Sequence, residues 1–472
     1  MCGTERCPRR RQRRRHIGDG RMAREILFNA FSSFGVANYA PGLWRHPEDQ
    51  SANCTDISYW VELAKVLERG GIDSLFLADV LAAPNLDGRE AGLRSGVGVP
   101  AGDPFAAISA MAAVTDNLGF VVTGNVGYEH PFLFARRMST LDHLTKGRIG
   151  WNIVTSSAFF TEDKGVAGEA GSADRYQHAD EYAEVCYRLW EGSWADDAVV
   201  RDHDSGVHTR TERIVDINHE GPHYQLQCLH QCAPSPQRTP VLFQAGVSEH
   251  GRDFASKHAE AILIGSLPRE VVAMHVANVR QKAAGFGRDP RSVKCFAAVL
   301  VVAAATDELA QEKYREYSRY ADAEGGRFFV STVMALDLTQ FDWDMPVEEL
   351  RGKIELPIEF FIREKPDGSE WTIRDLSVTA SIGLGAEVIV GSPATVADEL
   401  QSWVDATDLD GFNLIAATTP GTYADFTEHV IPELRSRGVC KQGYPLGTYR
   451  NRLTGRGDRL PAEHPAAQYR FG

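Results

Sequence analysis

The residues with the clearest chemical potential lie in the stretch GRIGWNIVTSS at 147–157, where Asn152 interrupts an apolar run. Ile149, Ile153 and Val154 are β-branched side chains suited to a strand covered on both faces, and Gly147 stops a helix that starts near Pro131. A primary amide buried in such a strand without partners costs about 1–3 kcal/mol on protein mutational scales. Asn152 is therefore met either by the core or by a ligand. Thr155, Ser156 and Ser157 crowd further polar groups at the end of the strand and point towards a site.

Other strand ends carry similar groups: Asp79, then Thr123 and Asn125, and then QAGVSEHG at 244–251. In the last of these, a glycine turn and Ser248 precede a helix beginning near Glu249. Ser248 reads either as a plain N-cap or as part of a phosphate cradle built from backbone N–H groups. Loops add Tyr128 and His130 before Pro131, and WRHP at 44–47 with His46, side chains able to bind or protonate a substrate. No Walker loop and no strand–GxGxxG–helix unit is present, which argues against dinucleotide binding of the Rossmann type. Paired strand-end carboxylates for glycoside hydrolysis are also missing, since only Asp79 clearly qualifies. Cys228, His230 and Cys232 lie close together but lack a second ligand pair at finger spacing, so no metal site is assigned.

These residues need a scaffold that gathers strand ends. After Met22 short apolar runs alternate with helical stretches, the pattern of repeated βα units and a parallel sheet. Eight strands are predicted, at 26–31, 74–79, 119–126, 148–155, 240–246, 259–265, 294–303 and 411–417. That count predicts an α/β fold of the (β/α)8 TIM-barrel type, in which sites lie at the C-terminal ends of the strands. Two long insertions interrupt the rhythm, about 191–239 after strand four and about 324–392 after strand seven. The expected organisation is a basic extension at 1–22, read as disordered, a barrel over 23–438, and a polar tail at 439–472 that is either disordered or wraps a neighbouring subunit.

Bulk properties narrow the function. A chain of 472 residues with net charge −14 has no basic surface outside its first residues, which excludes nucleic acid and anionic membrane as partners. Its eight cysteines are scattered without a disulfide framework, and no apolar stretch approaches the ~18 residues of a membrane span, so a cytoplasmic setting is expected.

Several longer motifs carry a resemblance. They are WRHP at 44–47, LERGGIDSLFLAD at 67–79, ARRMSTLDHLTKGRIGWNIVTS at 135–156, RYQHADEY at 175–182 and SPQRTPVLFQAG at 235–246. Over about residues 25–440 the chain resembles the bacterial-luciferase-like flavin monooxygenases, within them the nitrilotriacetate and dibenzothiophene-sulfone group. The segments at 189–199, 411–426 and 464–470 are most similar to the large subunits of the branch that oxygenates dimethyl sulfide. The resemblance implies an enzyme that uses O2 and reduced FMN delivered by a separate NAD(P)H:flavin reductase, a transient partner. It further implies a small organosulfur or amine substrate cleaved at a C–S or C–N bond, and a homo-dimer or homo-tetramer.

Carried over by motif, Asp79, Thr123, Tyr176 and Ser248 correspond to FMN-contacting positions, Ser248 at the phosphate, with Asn152 beside the same pocket. Ser172 stands where relatives have a histidine four residues before the tyrosine. His130, Tyr128 and His46 are assigned to substrate positioning or proton delivery from their loop positions. The competing readings are a deazaflavin-dependent oxidoreductase on the same barrel and a non-catalytic flavin-binding protein.

Overall fold

The computed structural model describes residues 24–36, 39–80, 89–155, 172–246, 248–265, 267–334, 336–354, 358, 361–362, 365 and 367–472. The basic extension at 1–22 and residues 156–171 lie outside these residues. Thirteen strands are found among them: β1 Leu27–Ser33, β2 Ser74–Ala78, β3 Gly119–Asn125, β4 Ile149–Val154, β5 Val199–Asp202, β6 Val207–Thr209, β7 Ile217–Glu220, β8 Gln225–Cys228, β9 Val241–Ala245, β10 Ala261–Ile264, β11 Lys294–Ala303, β12 Glu387–Gly391 and β13 Gly411–Ile415. The eight predicted strands correspond to β1, β2, β3, β4, β9, β10, β11 and β13. They pair in parallel in that order, and β13 returns to β1 to close the ring.

A strand that sequence periodicity missed lies inside the stretch read as the second insertion. β12 pairs in parallel with the far half of β11, Val299 opposite Glu387 and Ala303 opposite Gly391, and so branches off the barrel wall. The ten-residue β11 serves two neighbours, β13 along its first half and β12 along its second. The first insertion is not structureless either. It holds two antiparallel hairpins, β5–β6 and β7–β8.

Ordinary local signals set the helices. The helix Ile57–Gly70 is capped by Asp56, whose carboxylate accepts from the Ser58 N–H, and ends on Gly71 at φ 84°, a left-handed position that glycine tolerates. Leu63, Ala64 and Leu67 fall on one face at helical spacing and are buried against the barrel. Among the described residues no helix is long and apolar enough to cross a membrane.

Alternation along the strands divides their side chains between two cores. One set faces the helices, while Phe76, Val121, Phe243, Leu263 and Phe296 fill the barrel. Tyr449 and Leu453 join this interior cluster from the far end of the chain. Tyr449 stacks on Phe243 with ring centroids 6.3 Å apart, and a Cβ at Gly119, the first residue of β3, would come within 2.7 Å of its ring. The short helix Tyr449–Thr454 thus plugs the N-terminal end of the barrel. This part of the tail packs on its own chain.

Arg450 locks the plug. It is buried, pairs with Glu260 at 2.7 and 3.0 Å, and donates to the carbonyls of Thr239 and Pro240 at 2.8 and 2.9 Å. Removing one partner of a buried, hydrogen-bonded pair leaves the other charge unmatched, at a cost of about 3–5 kcal/mol. Arg450→Ala is expected to lower stability by about that amount in urea unfolding followed by circular dichroism. A loss below about 1 kcal/mol would mean that the plug carries little of the fold's stability.

Candidate active site

A cavity of about 1070 Å³ opens at the C-terminal ends of the barrel strands. Its floor is made by inward-facing strand residues. Parallel register sets Thr123 of β3 beside Asn152 of β4, and Asn152 beside Phe243 of β9. The Asn152 amide donates to Thr123 Oγ1 at 3.0 Å, and that hydroxyl donates to the Leu77 carbonyl at 2.9 Å. One half of the amide is satisfied in this way. Its Oδ1 is buried and accepts no hydrogen bond from any described residue, and the same holds for Gln244 Oε1 at the end of β9. Both residues line the cavity.

At one side of the floor the helix Glu249–His258 begins. Ser248 caps it, its hydroxyl accepting from the Gly251 N–H at 3.1 Å. Tyr176, early in the helix Ser172–Tyr187, reaches over the same turn: a Cβ at Gly251 would lie 2.8 Å from the Tyr176 hydroxyl and 3.0 Å from Ser248 Oγ. Glycine is needed there to let the tyrosine approach. This corner combines a helix N-terminus with two hydroxyls, a set suited to an anion, and Arg175, next to Tyr176 in sequence, also lines the cavity.

Another stretch of the wall is acidic. Asp79, at the end of β2, is pushed up from its ordinary 3.8 to about 6, first by burial and then by the charge of Asp103. Glu129 is raised by burial and by Asp103 but is held down by Arg137, with which it forms two bonds of 2.9 Å. Tyr128, Asn125 and Thr155 line the same cavity, as does Tyr39, which stacks on Phe31 with centroids 4.7 Å apart. Burial and then the Asp79 charge raise the Tyr39 phenol.

The structure thus brings together Asp79, Thr123, Tyr128, Asn152, Tyr176 and Ser248. Two of the three residues assigned to chemistry from loop position are not in the lining. His130 is the exposed N-cap of Pro131–Leu144: its Nδ1 accepts from the Phe132 N–H at 3.3 Å, and its ring meets Tyr224 edge-on. His46 is buried between Tyr317 and Tyr320, with Nδ1 accepting from the Glu48 N–H and Nε2 3.5 Å from Glu316. One histidine caps a helix and the other packs between two tyrosines, and neither ring lines the cavity. The Ser172 side chain lies outside the described residues.

Residues not singled out from sequence include Tyr39, Asp103, Arg137 and Arg175. Arg175 was legible as the neighbour of Tyr176, and Asp103 as the residue that opens a helix with Pro104. Tyr39, at φ 70°, carries no local signal for its left-handed backbone.

The luciferase-like monooxygenase family matches residues 40–409. The chain belongs to that family. Dimethyl-sulfide monooxygenase of Hyphomicrobium sulfonivorans is 43% identical over 455 residues, 95% of this chain and 94% of its own length. The crystal structure of DmoA from that organism matches with a TM-score of 0.88 over 95% of this chain and 96% of the other. Long-chain alkane monooxygenase of Geobacillus thermodenitrificans is 42% identical over 453 residues, 95% of this chain and 99% of its own. The crystal structure of a long-chain alkane monooxygenase gives a TM-score of 0.86 over 95% of this chain and all of that one. A riboflavin lyase solved with modified FMN and riboflavin, 36% identical, also gives 0.86, over 95% of this chain and 100% of that one. This luciferase-like monooxygenase is an oxygenating enzyme on a (β/α)8 barrel.

The acid at its mouth makes a prediction about pH. A carboxyl raised in the folded state stabilises the fold when protonated, and that contribution is lost as pH rises from about 3.8 through about 6. Asp79→Asn stays neutral throughout, so its melting temperature should gain on the unmodified enzyme between pH 4 and pH 7. A gap that is flat across this range would show that Asp79 titrates like an exposed carboxylate.

Proposed function

We propose that this chain is the oxygenating large subunit of a two-component monooxygenase. It takes reduced FMN from a separate NAD(P)H:flavin reductase in transient contact and oxygenates a small organosulfur or amine substrate, with cleavage of a C–S or C–N bond. One observation carries the reading: a single cavity joins an anion-suited helix N-terminus to two buried amide oxygens that lack donors among the described residues.

FMN fits that arrangement. It has a phosphate for the Ser248 and Tyr176 corner, and ring N–H groups for acceptors such as Asn152 Oδ1 and Gln244 Oε1. When bound and reduced, FMN supplies the two electrons by which one atom of O2 enters the substrate and the other leaves as water. Leaving those amide oxygens unmatched costs about 1–3 kcal/mol each, which a ring donor recovers on binding.

The chain's own side chains hold, orient and shield. Thr123 fixes the Asn152 amide by accepting from its NH2 group, so the free oxygen is presented in one orientation. Phe31, Phe76 and Phe296 make the floor apolar and exclude water from it. Asp79, poised near pH 6, and the Tyr128 hydroxyl are the groups proposed to hold or move a proton at the mouth. Free thiols at Cys54, Cys186 and Cys295 support a reducing, cytoplasmic setting, and the resemblance supports a dimer or tetramer.

Titration with FMN and riboflavin tests the phosphate corner separately from the ring. Hydrogen bonds to a charged group are worth about 1.5–3 kcal/mol. Ser248→Ala and Tyr176→Phe are therefore expected to weaken FMN by roughly 10- to 100-fold, with riboflavin affinity unchanged. Equal losses for both ligands would remove the corner from phosphate binding.

A further inference from the structure

The anion corner and the orphaned amides lie on the barrel, yet much of the cavity wall comes from elsewhere. The helices Ala323–Met334 and Ile373–Ala380 contribute Phe329, Val330, Val333, Leu376 and Ala380, and Phe361 adds a ring from the segment between them. This wall carries no charged side chain among the described residues. It is also held in place independently of any ligand. Val330, Leu376 and Ala380 belong at the same time to a compact apolar core of the insertion, with Leu338, Val347, Leu350 and Ile373.

Size points the same way. Pockets for drug-sized ligands span about 300–1000 Å³. A molecule of three heavy atoms fills on the order of 100 Å³, at ~30 Å³ per water-sized group. The cavity of about 1070 Å³ lies at the top of that range, and a molecule of three heavy atoms would occupy only about a tenth of it. Among the described residues the charged lining is unsuited to a polyanion: Asp79, Asp103 and Glu129 are acidic, Arg137 is already held by Glu129, and Arg175 is the one further cation.

We propose that the wall formed by the 323–380 insertion binds the hydrocarbon of the substrate, so that this enzyme takes an uncharged molecule with an extended apolar chain, longer than dimethyl sulfide, and rejects aminopolycarboxylates. The proposal rests on the flavin reading for the reaction, but the wall itself is a binding surface that can be measured without turnover. Each methylene moved from water onto such a surface gains a roughly constant increment, worth about fourfold in affinity.

The test is calorimetric titration of the full chain with dimethyl, diethyl, dipropyl and dibutyl sulfide and with nitrilotriacetate, in the presence and absence of saturating oxidised FMN. The expected result is a dissociation constant that falls about three- to fourfold per added methylene, with no detectable binding of nitrilotriacetate. Ala380→Trp, which fills the wall, should flatten the series and leave FMN affinity unchanged; the series on the unmodified protein decides the matter if that variant does not fold. A flat or falling series, or saturable nitrilotriacetate binding, overturns the proposal. Failure of the flavin reading is distinguishable, because it would appear as no saturable FMN binding while the chain-length slope persists.

Discussion

The barrel is governed by one constraint: a polar side chain that points into it has no water to bond and must find a partner of fixed position. At mid-height the constraint is met within the protein. Asn29 of β1 donates to Asn413 of β13 at 2.9 Å and accepts from Ser74 of β2 at 2.7 Å, three residues that parallel register aligns side by side. Nearer the mouth it is met only by half. Asn152 has Thr123 for its NH2 group and nothing described for its oxygen, and Gln244 is in the same position. The same side-chain chemistry gives a structural network in one layer and a waiting acceptor in the next.

That difference has meaning only because the other end is sealed. Tyr449 and Leu453 complete the interior apolar cluster from below, and Arg450 ties them to Glu260 and to the chain that leads into β9. A closed bottom leaves the C-terminal mouth as the route into the barrel. It also explains why a polar, irregular stretch of sequence is ordered: its buried arginine and tyrosine complete a core built by strands hundreds of residues earlier.

Much of this was legible in the sequence where a local rule applies. The barrel strands are short β-branched runs between helices, and Ser248 precedes a helix after a glycine turn, so their type and place follow from pattern alone. β12 was missed because EVIVG is brief and sits within a long irregular stretch, and because its pairing with β11 depends on that strand outlasting its other neighbour. The surroundings of His46 and His130 were hidden for a related reason. Loop position says that a histidine is near the mouth, but not that one is walled in by two tyrosines and the other turned outward to cap a helix. The packing of the tail was not legible because composition describes its average, whereas its role here rests on Tyr449, Arg450 and Leu453.

The remaining architecture separates two tasks. Groups suited to a cofactor come from strand ends and first helical turns, elements that cannot move without disturbing the barrel. The apolar wall comes from an insertion with its own core, and none of the buried residues in that core belongs to the clusters that pack the barrel. Side chains on that wall can therefore change in size with small effect on the strands beneath, since packing energies of sites without shared partners are nearly additive. A barrel arranged in this way holds one chemistry fixed while the surface that faces its substrate varies.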